Sequence, residues 1–191
     1  ATSDVKYISE IFQHNGLEAI NKAFATDNSE IVQACCDTIQ KFAVDEKTTE
    51  EIVSKGTVRA LIARFQSQAQ SDVTCQSMVE ALGAFGRFEA GRKEVVDQKG
   101  PHKTLTVIKD FKNKKEVQEG GIKALSKLIP DAYTAVDLIE DGIIDHLAQV
   151  TKTNPQWRKL NIHTVNVFES ICQLGNSSSK LDKAKVFEVL V

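Results

Sequence analysis

Large hydrophobic residues recur along the chain at spacings of three and four, the pattern of an α-helix that buries one side. The pattern is clearest in Val117–Leu128, where Val117 is followed at fixed intervals by small and then large residues. Shifted by 43 residues or a multiple of 43, it returns at Ile31–Phe42, Thr74–Phe85 and Leu160–Ile171. A period of this length in helical segments predicts a repeat protein built from stacked helical units.

Each unit is predicted to contain a short helix, a glycine turn, a second helix, a polar turn and a long helix. The short helices end at four glycines: Gly16, Gly56, Gly100 and Gly142. We expect each glycine to adopt a positive φ there, because glycine does so without a steric penalty. The polar turns are rich in Asn, Ser and Asp, which are good N-caps for the long helices that follow.

Aligning the long helices places small residues in two columns and large residues in two others. The small residues let neighbouring helices approach closely, and the large residues fill the space between units. The columns are Cys35, Met78, Gly121 and Thr164; Thr38, Ala81, Ala124 and Val167; Ile39, Leu82, Leu125 and Phe168; and Phe42, Phe85, Leu128 and Ile171. The pair Gly120 and Gly121, inside one of these helices, indicates either close packing or a hinge.

The three-helix unit of about 42 residues, with its glycine corner and long-helix pattern, resembles the armadillo repeat. The resemblance implies an all-α, right-handed α-solenoid of about four armadillo-like three-helix repeats, plus the leading helix of a fifth. HEAT repeats have a similar period but usually two helices and no glycine corner. The predicted units are residues 4–44, 45–87, 88–130 and 131–175, followed by a terminal helix at 180–191. The chain is predicted to be a single repeat domain and part of a longer solenoid.

In the armadillo family the long helices line a concave groove, where asparagines and, in importin alpha, tryptophans hold an extended peptide. The asparagine column of this chain contains Lys41, Ala84, Lys127 and Ser170. The tryptophan column contains Asp37, Glu80, Lys123 and Asn166. Because neither residue type is kept, the recognition of nuclear-localisation peptides is not expected, although the groove should remain.

The residues of these two columns are therefore the candidate partner-binding residues of the groove. The candidates are Asp37, Lys41, Glu80, Lys123, Lys127, Asn166 and Ser170. One hypothesis is that Lys123 and Lys127 hold an acidic or phosphorylated segment of a protein partner. The alternative is a solvated charged face. Trp157, which has no counterpart in other units, either packs under the preceding turn or acts as an exposed anchor at the edge.

Composition and motifs narrow the function classes. The net charge of −2 argues against a general nucleic-acid binder, and no apolar run is long enough for a membrane span. The four cysteines have no metal-ligand spacing, so no metal or cofactor is expected. Free thiols are typical of a reducing compartment, which is the cytoplasm or alternatively the nucleus. No catalytic motif is present, and His146 is expected at the surface or an edge.

The predicted function is a non-catalytic scaffold or adaptor that binds an extended peptide or a helix in the groove. A first alternative is a structural protein that self-assembles or docks in a cytoskeletal or ciliary complex, with self-association through the apolar C-terminal helix. A second alternative is a co-chaperone-type regulator that clasps a folded domain.

Overall fold

The computed structural model of the chain describes residues 2–65 and 71–175, which form twelve α-helices and no strand. The first helices of the four units are α1 (Thr2–Gln13), α4 (Glu46–Ser54), α7 (Glu89–Asp97) and α10 (Ala132–Glu140). The second helices are α2 (Gly16–Phe24), α5 (Thr57–Arg64), α8 (Gly100–Asp110) and α11 (Ile143–Thr153). The third helices are α3 (Ser29–Phe42), α6 (Asp72–Phe85), α9 (Lys115–Leu125) and α12 (Arg158–Gly175). The all-α solenoid is confirmed, and the predicted helix at 180–191 lies outside the described residues.

The helices stack unit on unit. Each third helix packs beside the next, in the order α3, α6, α9 and α12. The first helices α1, α4 and α7 follow one another in the same way, and α2 packs against α5. Every unit therefore buries its apolar side against its neighbours, as a solenoid requires.

The predicted columns of the long helices form the core. Ile39, Leu82 and Leu125 have no exposed surface, and Phe168 is 5% exposed. Thr38 and Phe42 in the first unit are only partly buried, because the first long helix has no unit on its other side among the described residues. Constant large residues in one column thus give the stack its continuous apolar interior.

Side-chain caps explain where several helices begin. The Asn28 side chain accepts hydrogen bonds from the backbone N–H groups of Glu30 and Ile31 at the start of α3. Ser71 and Asp131 accept the corresponding bonds from the third residues of α6 and α10. Each such cap satisfies a donor that the helix itself leaves unpaired and contributes about 1 kcal/mol.

The glycine corners differ from the prediction in two units. Gly56 (φ 75°) and Gly142 (φ 78°) adopt the expected left-handed conformation. In the other two corners that conformation belongs to the preceding residue, Asn15 (φ 61°) or Lys99 (φ 57°). The prediction was therefore wrong for the glycines at positions 16 and 100.

Those two glycines are required by close contact instead. A Cβ atom on Gly16 would lie 2.3 Å from Cγ2 of Ile11, and one on Gly100 would lie 2.4 Å from Cγ1 of Val95. Both neighbours belong to the helix that has just ended, so the missing side chain lets the next helix start directly against it.

Candidate functional site

Small residues open a cavity between two of the long helices. At Gly83 the helices α6 and α9 touch, because a Cβ atom there would lie only 2.9 Å from both Cα and Cβ of Ala124. Ala84 and Gly120 add little bulk on either side of this contact. The result is an open cavity of about 310 Å³ with a floor of small residues, which we name the α6–α9 cleft.

Long polar side chains form the rim of the α6–α9 cleft. They are Gln40, Glu80, Arg87, Lys123 and Lys127. The structure therefore brings together three of the predicted residues: Glu80 from α6, Lys123 from α9 and Lys127 just after α9. Sequence reasoning missed Arg87, although it continues the stripe of Glu80 and Ala84 by one more helical turn beyond the end of α6.

Arg87 is held in place by backbone carbonyl groups. Its Nη2 donates to the carbonyl oxygen of Ala43 at 2.6 Å, and its Nε donates to that of Ala84 at 3.2 Å. The guanidinium also lies over the ring of Phe88, 5.4 Å from its centroid. These two hydrogen bonds use two of the five guanidinium N–H groups. Arg87 is thus held in place within the fold and keeps further N–H donors.

Lys127 lies just beyond the end of its helix. The long-helix pattern predicted a helix through Leu128, but α9 ends at Leu125, and the N–H of Lys127 donates to the carbonyl oxygen of Ala124. Partial burial lowers the pKa of Lys127, and the nearby cations Lys123 and Arg87 lower it further. Three positive groups, Arg87, Lys123 and Lys127, thus line one cleft.

The positive charge of the cleft is not balanced internally. Among the described residues, no carboxylate lies within 4 Å of the charged nitrogens of Arg87, Lys123 or Lys127. Glu80, the carboxylate on the rim, instead accepts a hydrogen bond from the Gln76 amide at 3.0 Å. Three cations against one carboxylate leave a net charge of about +2 in the cleft.

A second open cavity of about 440 Å³ continues from the first. Lys127 lines both, so the two cavities adjoin along the stack. Ser170, another predicted groove residue, lies here together with Arg92 and Gln173. The two cavities together offer an elongated surface that crosses from Gln40 in the first unit to Ser170 in the fourth.

The remaining predicted residues lie elsewhere. Asp37 and Lys41 are exposed on α3, Asn166 is exposed on α12, and none of the three lines either cavity. Trp157 precedes the first residue of α12 and is partly buried against the core of the third and fourth units. This position agrees with the interpretation that Trp157 packs against the fold. Its role as an anchor for a partner stays a prediction.

A buried polar pair joins the third and fourth units on the opposite side of α9. Gln118 has no exposed surface, and its Nε2 donates to the carbonyl oxygens of Ile108 and Phe111. Its Oε1 is therefore left as an acceptor, 3.0 Å from Nε2 of His146. This arrangement requires a proton on Nε2 of His146, which then donates to Gln118.

His146 was expected at the surface, and that prediction was wrong. Its residue is 8% exposed, because α11 turns the ring inward to meet Gln118. Burial lowers the pKa of His146 to about 4, and the positive charge of Lys109 contributes. The ring therefore stays neutral at physiological pH and serves as a hydrogen-bond donor within the fold.

Two further observations concern metal sites and membranes. Within residues 2–65 and 71–175, no three His, Cys, Asp or Glu side chains are grouped so that they could hold a metal ion. Over the same ranges, no helix has the length and hydrophobicity needed to cross a bilayer.

The comparison with known proteins rests on structure. No protein-family model matches the chain, and no curated protein matches its sequence. An engineered protein of the Northeast Structural Genomics Consortium superposes with a TM-score of 0.76 at 14% identity, over 97% of this chain and 82% of its own. A designed armadillo repeat protein in complex with the peptide (KR)4 gives 0.73 at 11% identity, over 97% and 86% of the two chains.

A third similar structure is a computationally designed armadillo repeat protein for modular peptide recognition, with a TM-score of 0.72 at 11% identity. It aligns with 97% of this chain and 85% of its own. Together with the four stacked helix triplets, these matches define the class: the protein is an armadillo-like α-solenoid.

Proposed function

We propose that the protein is a non-catalytic interaction module that binds an extended acidic or phosphorylated protein segment along the α6–α9 cleft and the adjoining cavity. The observation that carries this proposal is the convergence of Arg87, Lys123 and Lys127 on one cleft with no carboxylate within 4 Å among the described residues. Anionic groups of a ligand would supply the missing charge.

The shape of the surface favours an extended ligand over a compact one. The two cavities are open and meet at Lys127, so a segment can lie across both. The floor of small residues at Gly83, Gly120 and Ala124 leaves room for a peptide backbone. Side chains of the ligand would then reach the polar rim on either side.

The charge of the cleft favours an acidic ligand. One of the structurally similar designs is in complex with a peptide of alternating Lys and Arg. Here the cations belong to the protein itself, which predicts the opposite charge on the ligand. Hydrogen bonds between charged groups contribute about 1.5–3 kcal/mol each, and Arg87 is already positioned to make them.

The test uses fluorescently labelled octapeptides of glutamate, of phosphoserine alternating with glycine, and of lysine. We expect the first two to bind the 191-residue chain and the lysine peptide not to bind. The variant Lys123→Glu/Lys127→Glu should raise Kd for the acidic peptides at least about tenfold at low salt, measured by fluorescence anisotropy.

The matched control is Lys22→Glu/Lys152→Glu. It changes the net charge by the same amount at two exposed lysines that line neither cavity, and it should alter Kd by less than about twofold. Equal losses of affinity in the two variants would show attraction by overall charge and would reject the cleft as the binding site. Unchanged affinity in the cleft variant at low salt would reject it as well.

A reducing compartment, the cytoplasm or alternatively the nucleus, is proposed as the location of this module. The four cysteines support this proposal because all are free thiols. Three of them, Cys35, Cys36 and Cys75, are buried. Small buried thiols behave as apolar core residues and need no oxidising environment.

A further inference from the structure

One face of α12 carries an apolar pair flanked by two opposite charges. Arg158, Ile162, Val165 and Glu169 follow one another at spacings of four, three and four residues, so they lie on one stripe of the helix. All four are exposed, and the two central residues are 60% (Ile162) and 58% (Val165) exposed. The stripe faces away from the core of the fourth unit.

The same position is buried in every preceding unit. In the 43-residue register, Val165 corresponds to Cys36, Val79 and Ile122, each with no exposed surface. Each of these three residues belongs to a long helix that packs against the long helix of the following unit. In α12, the last long helix in the described part of the chain, the residue at this position is 58% exposed.

The neighbouring column strengthens the contrast. Ile162 corresponds to Gln33, Gln76 and Glu119 in the preceding units. Among the described long helices, this column thus holds a large apolar residue in α12, where it is exposed, and polar residues in the other three, where they are partly buried. A solenoid face that meets only water carries polar residues, so this stripe indicates a surface that another protein surface covers.

The stripe is complementary to itself. When two α12 helices pair antiparallel about a two-fold axis midway between Ile162 and Val165, each Ile162 faces Val165 of the other copy. Arg158 lies as far before that centre as Glu169 lies after it, so each Arg158 faces Glu169 of the other copy. A two-fold interface requires this kind of self-complementary surface.

Both charges are available for such a pairing. Among the described residues, neither Arg158 nor Glu169 has an oppositely charged side chain within 4 Å. Glu169 accepts a hydrogen bond from the Gln173 amide at 3.2 Å and keeps its second carboxylate oxygen for another donor.

We propose that this face of α12 binds a second copy of the same chain, forming an antiparallel two-fold dimer. The four residues of the stripe line neither the α6–α9 cleft nor the adjoining cavity. A contact centred on one helix from each copy is smaller than a standard interface of about 1,600 Å², so the dimer is expected to be reversible. Two linked clefts would also bind a multivalent partner more tightly than one.

The first test is sedimentation equilibrium of the 191-residue chain over a range of concentrations. The chain should show a monomer–dimer equilibrium, and Val165→Glu should raise the dimer Kd at least about tenfold, because it places charge at the centre of the apolar pair. The control is Val73→Glu, a 50% exposed valine on the long helix α6. It should change the Kd by less than about twofold, and thermal unfolding should show that both variants are folded.

A charge exchange tests the antiparallel geometry. Arg158→Glu alone places two carboxylates opposite each other, and Glu169→Arg alone places two guanidinium groups opposite each other, so each should raise Kd about fivefold or more. The double variant Arg158→Glu/Glu169→Arg restores opposite charges across the interface and should recover the original Kd to within about threefold. A purely structural role of either residue within α12 would give no such recovery.

Three outcomes would overturn the proposal. One is a chain that stays monomeric at every concentration, which would mean that residues 176–191 or a different protein covers the face. Another is a dimer that Val165→Glu leaves intact, which would place the interface on a different surface. The third is a double charge variant that dimerises no better than the single variants.

Discussion

The two sides of α9 differ in whether their polar side chains have partners within the fold. On the core side, Gln118 is fully buried, and both its amide nitrogen and its oxygen have hydrogen-bond partners. On the cleft side, Lys123 is exposed and has no carboxylate within 4 Å among the described residues. Satisfied polar groups stabilise the native state, whereas unbalanced charges next to a cavity are available to an incoming ligand.

The adjacent residues Gly120 and Gly121 also face the two different sides of α9. A Cβ atom on Gly121 would lie 2.2 Å from Cγ2 of the fully buried Ile108, on the core side. A Cβ atom on Gly120 would lie 3.1 Å from Cγ and Oε1 of Glu80, whose side chain leans over the cleft and can move away. Of the two interpretations of this pair, Gly121 supports close packing. The hinge alternative has no separate support in these contacts.

The largest expected effect is on the core side, from Gln118→Ala. This change leaves two buried carbonyl oxygens and the His146 Nε2–H without their partner and also creates a cavity. We expect the free energy of unfolding to fall by about 4 kcal/mol, measured by urea denaturation. The control on the cleft side is Lys123→Ala, which should cost less than about 0.5 kcal/mol. If both variants lost a similar amount of unfolding free energy, the two sides of α9 would not differ in their contribution to stability.

The second effect is a pH dependence of stability that arises from His146. Its pKa is about 4 in the folded protein and about 6.5 in the unfolded chain. Between these values the unfolded chain binds more protons, so the stability is fully present above pH 6.5 and falls as the pH drops towards 4. The contribution of His146 to the free energy of unfolding above pH 6.5 is about 3 kcal/mol.

Urea denaturation at about pH 7 and about pH 4.5 measures this contribution when the wild type is compared with His146→Gln. The glutamine amide can still donate to Gln118 but does not titrate, so the variant should lose less stability on acidification than the wild type. Parallel pH profiles of the two proteins would contradict the buried, neutral imidazole.

The smallest effect compares the two glycines directly. Gly121→Ala should lower the free energy of unfolding by about 2 kcal/mol, because Ile108 is buried and cannot move aside freely. In Gly120→Ala, the gain in helix propensity of about 1 kcal/mol should offset a small displacement of Glu80, so stability should change little. Thermal unfolding of both variants measures this difference. A larger loss of stability in Gly120→Ala than in Gly121→Ala would show that Gly120 faces the tighter contact.

Part of the site was predictable from the sequence. The 43-residue register placed Glu80, Lys123 and Lys127 in adjacent columns, and the structure brings them to one cleft. Arg87 was missed because it follows the last residue of α6, and its hydrogen bonds to the carbonyl oxygens of Ala43 and Ala84 hold it at the cleft. The equivalent residues Asp37 and Asn166 share those columns but line neither of the two cavities.

The buried pair of Gln118 and His146 was not predictable in the same way. Both residues are polar and usually exposed, and they are 28 positions apart, so no local pattern links them. The conformation of the glycine turns between the first and second helices was not predictable either. A glycine in the sequence does not reveal whether it adopts the positive φ itself or only leaves room for a neighbouring side chain.

The sequence by itself determined the helices, their grouping in threes and the columns of the core, because helix periodicity and burial are local properties that repeat every 43 residues. Only the tertiary structure decided which polar residues meet. The cleft between α6 and α9 depends on how closely Gly83 approaches Ala124. The exposure of Val165 on α12 also depends on the stack, because the residues at its position in the preceding units are buried.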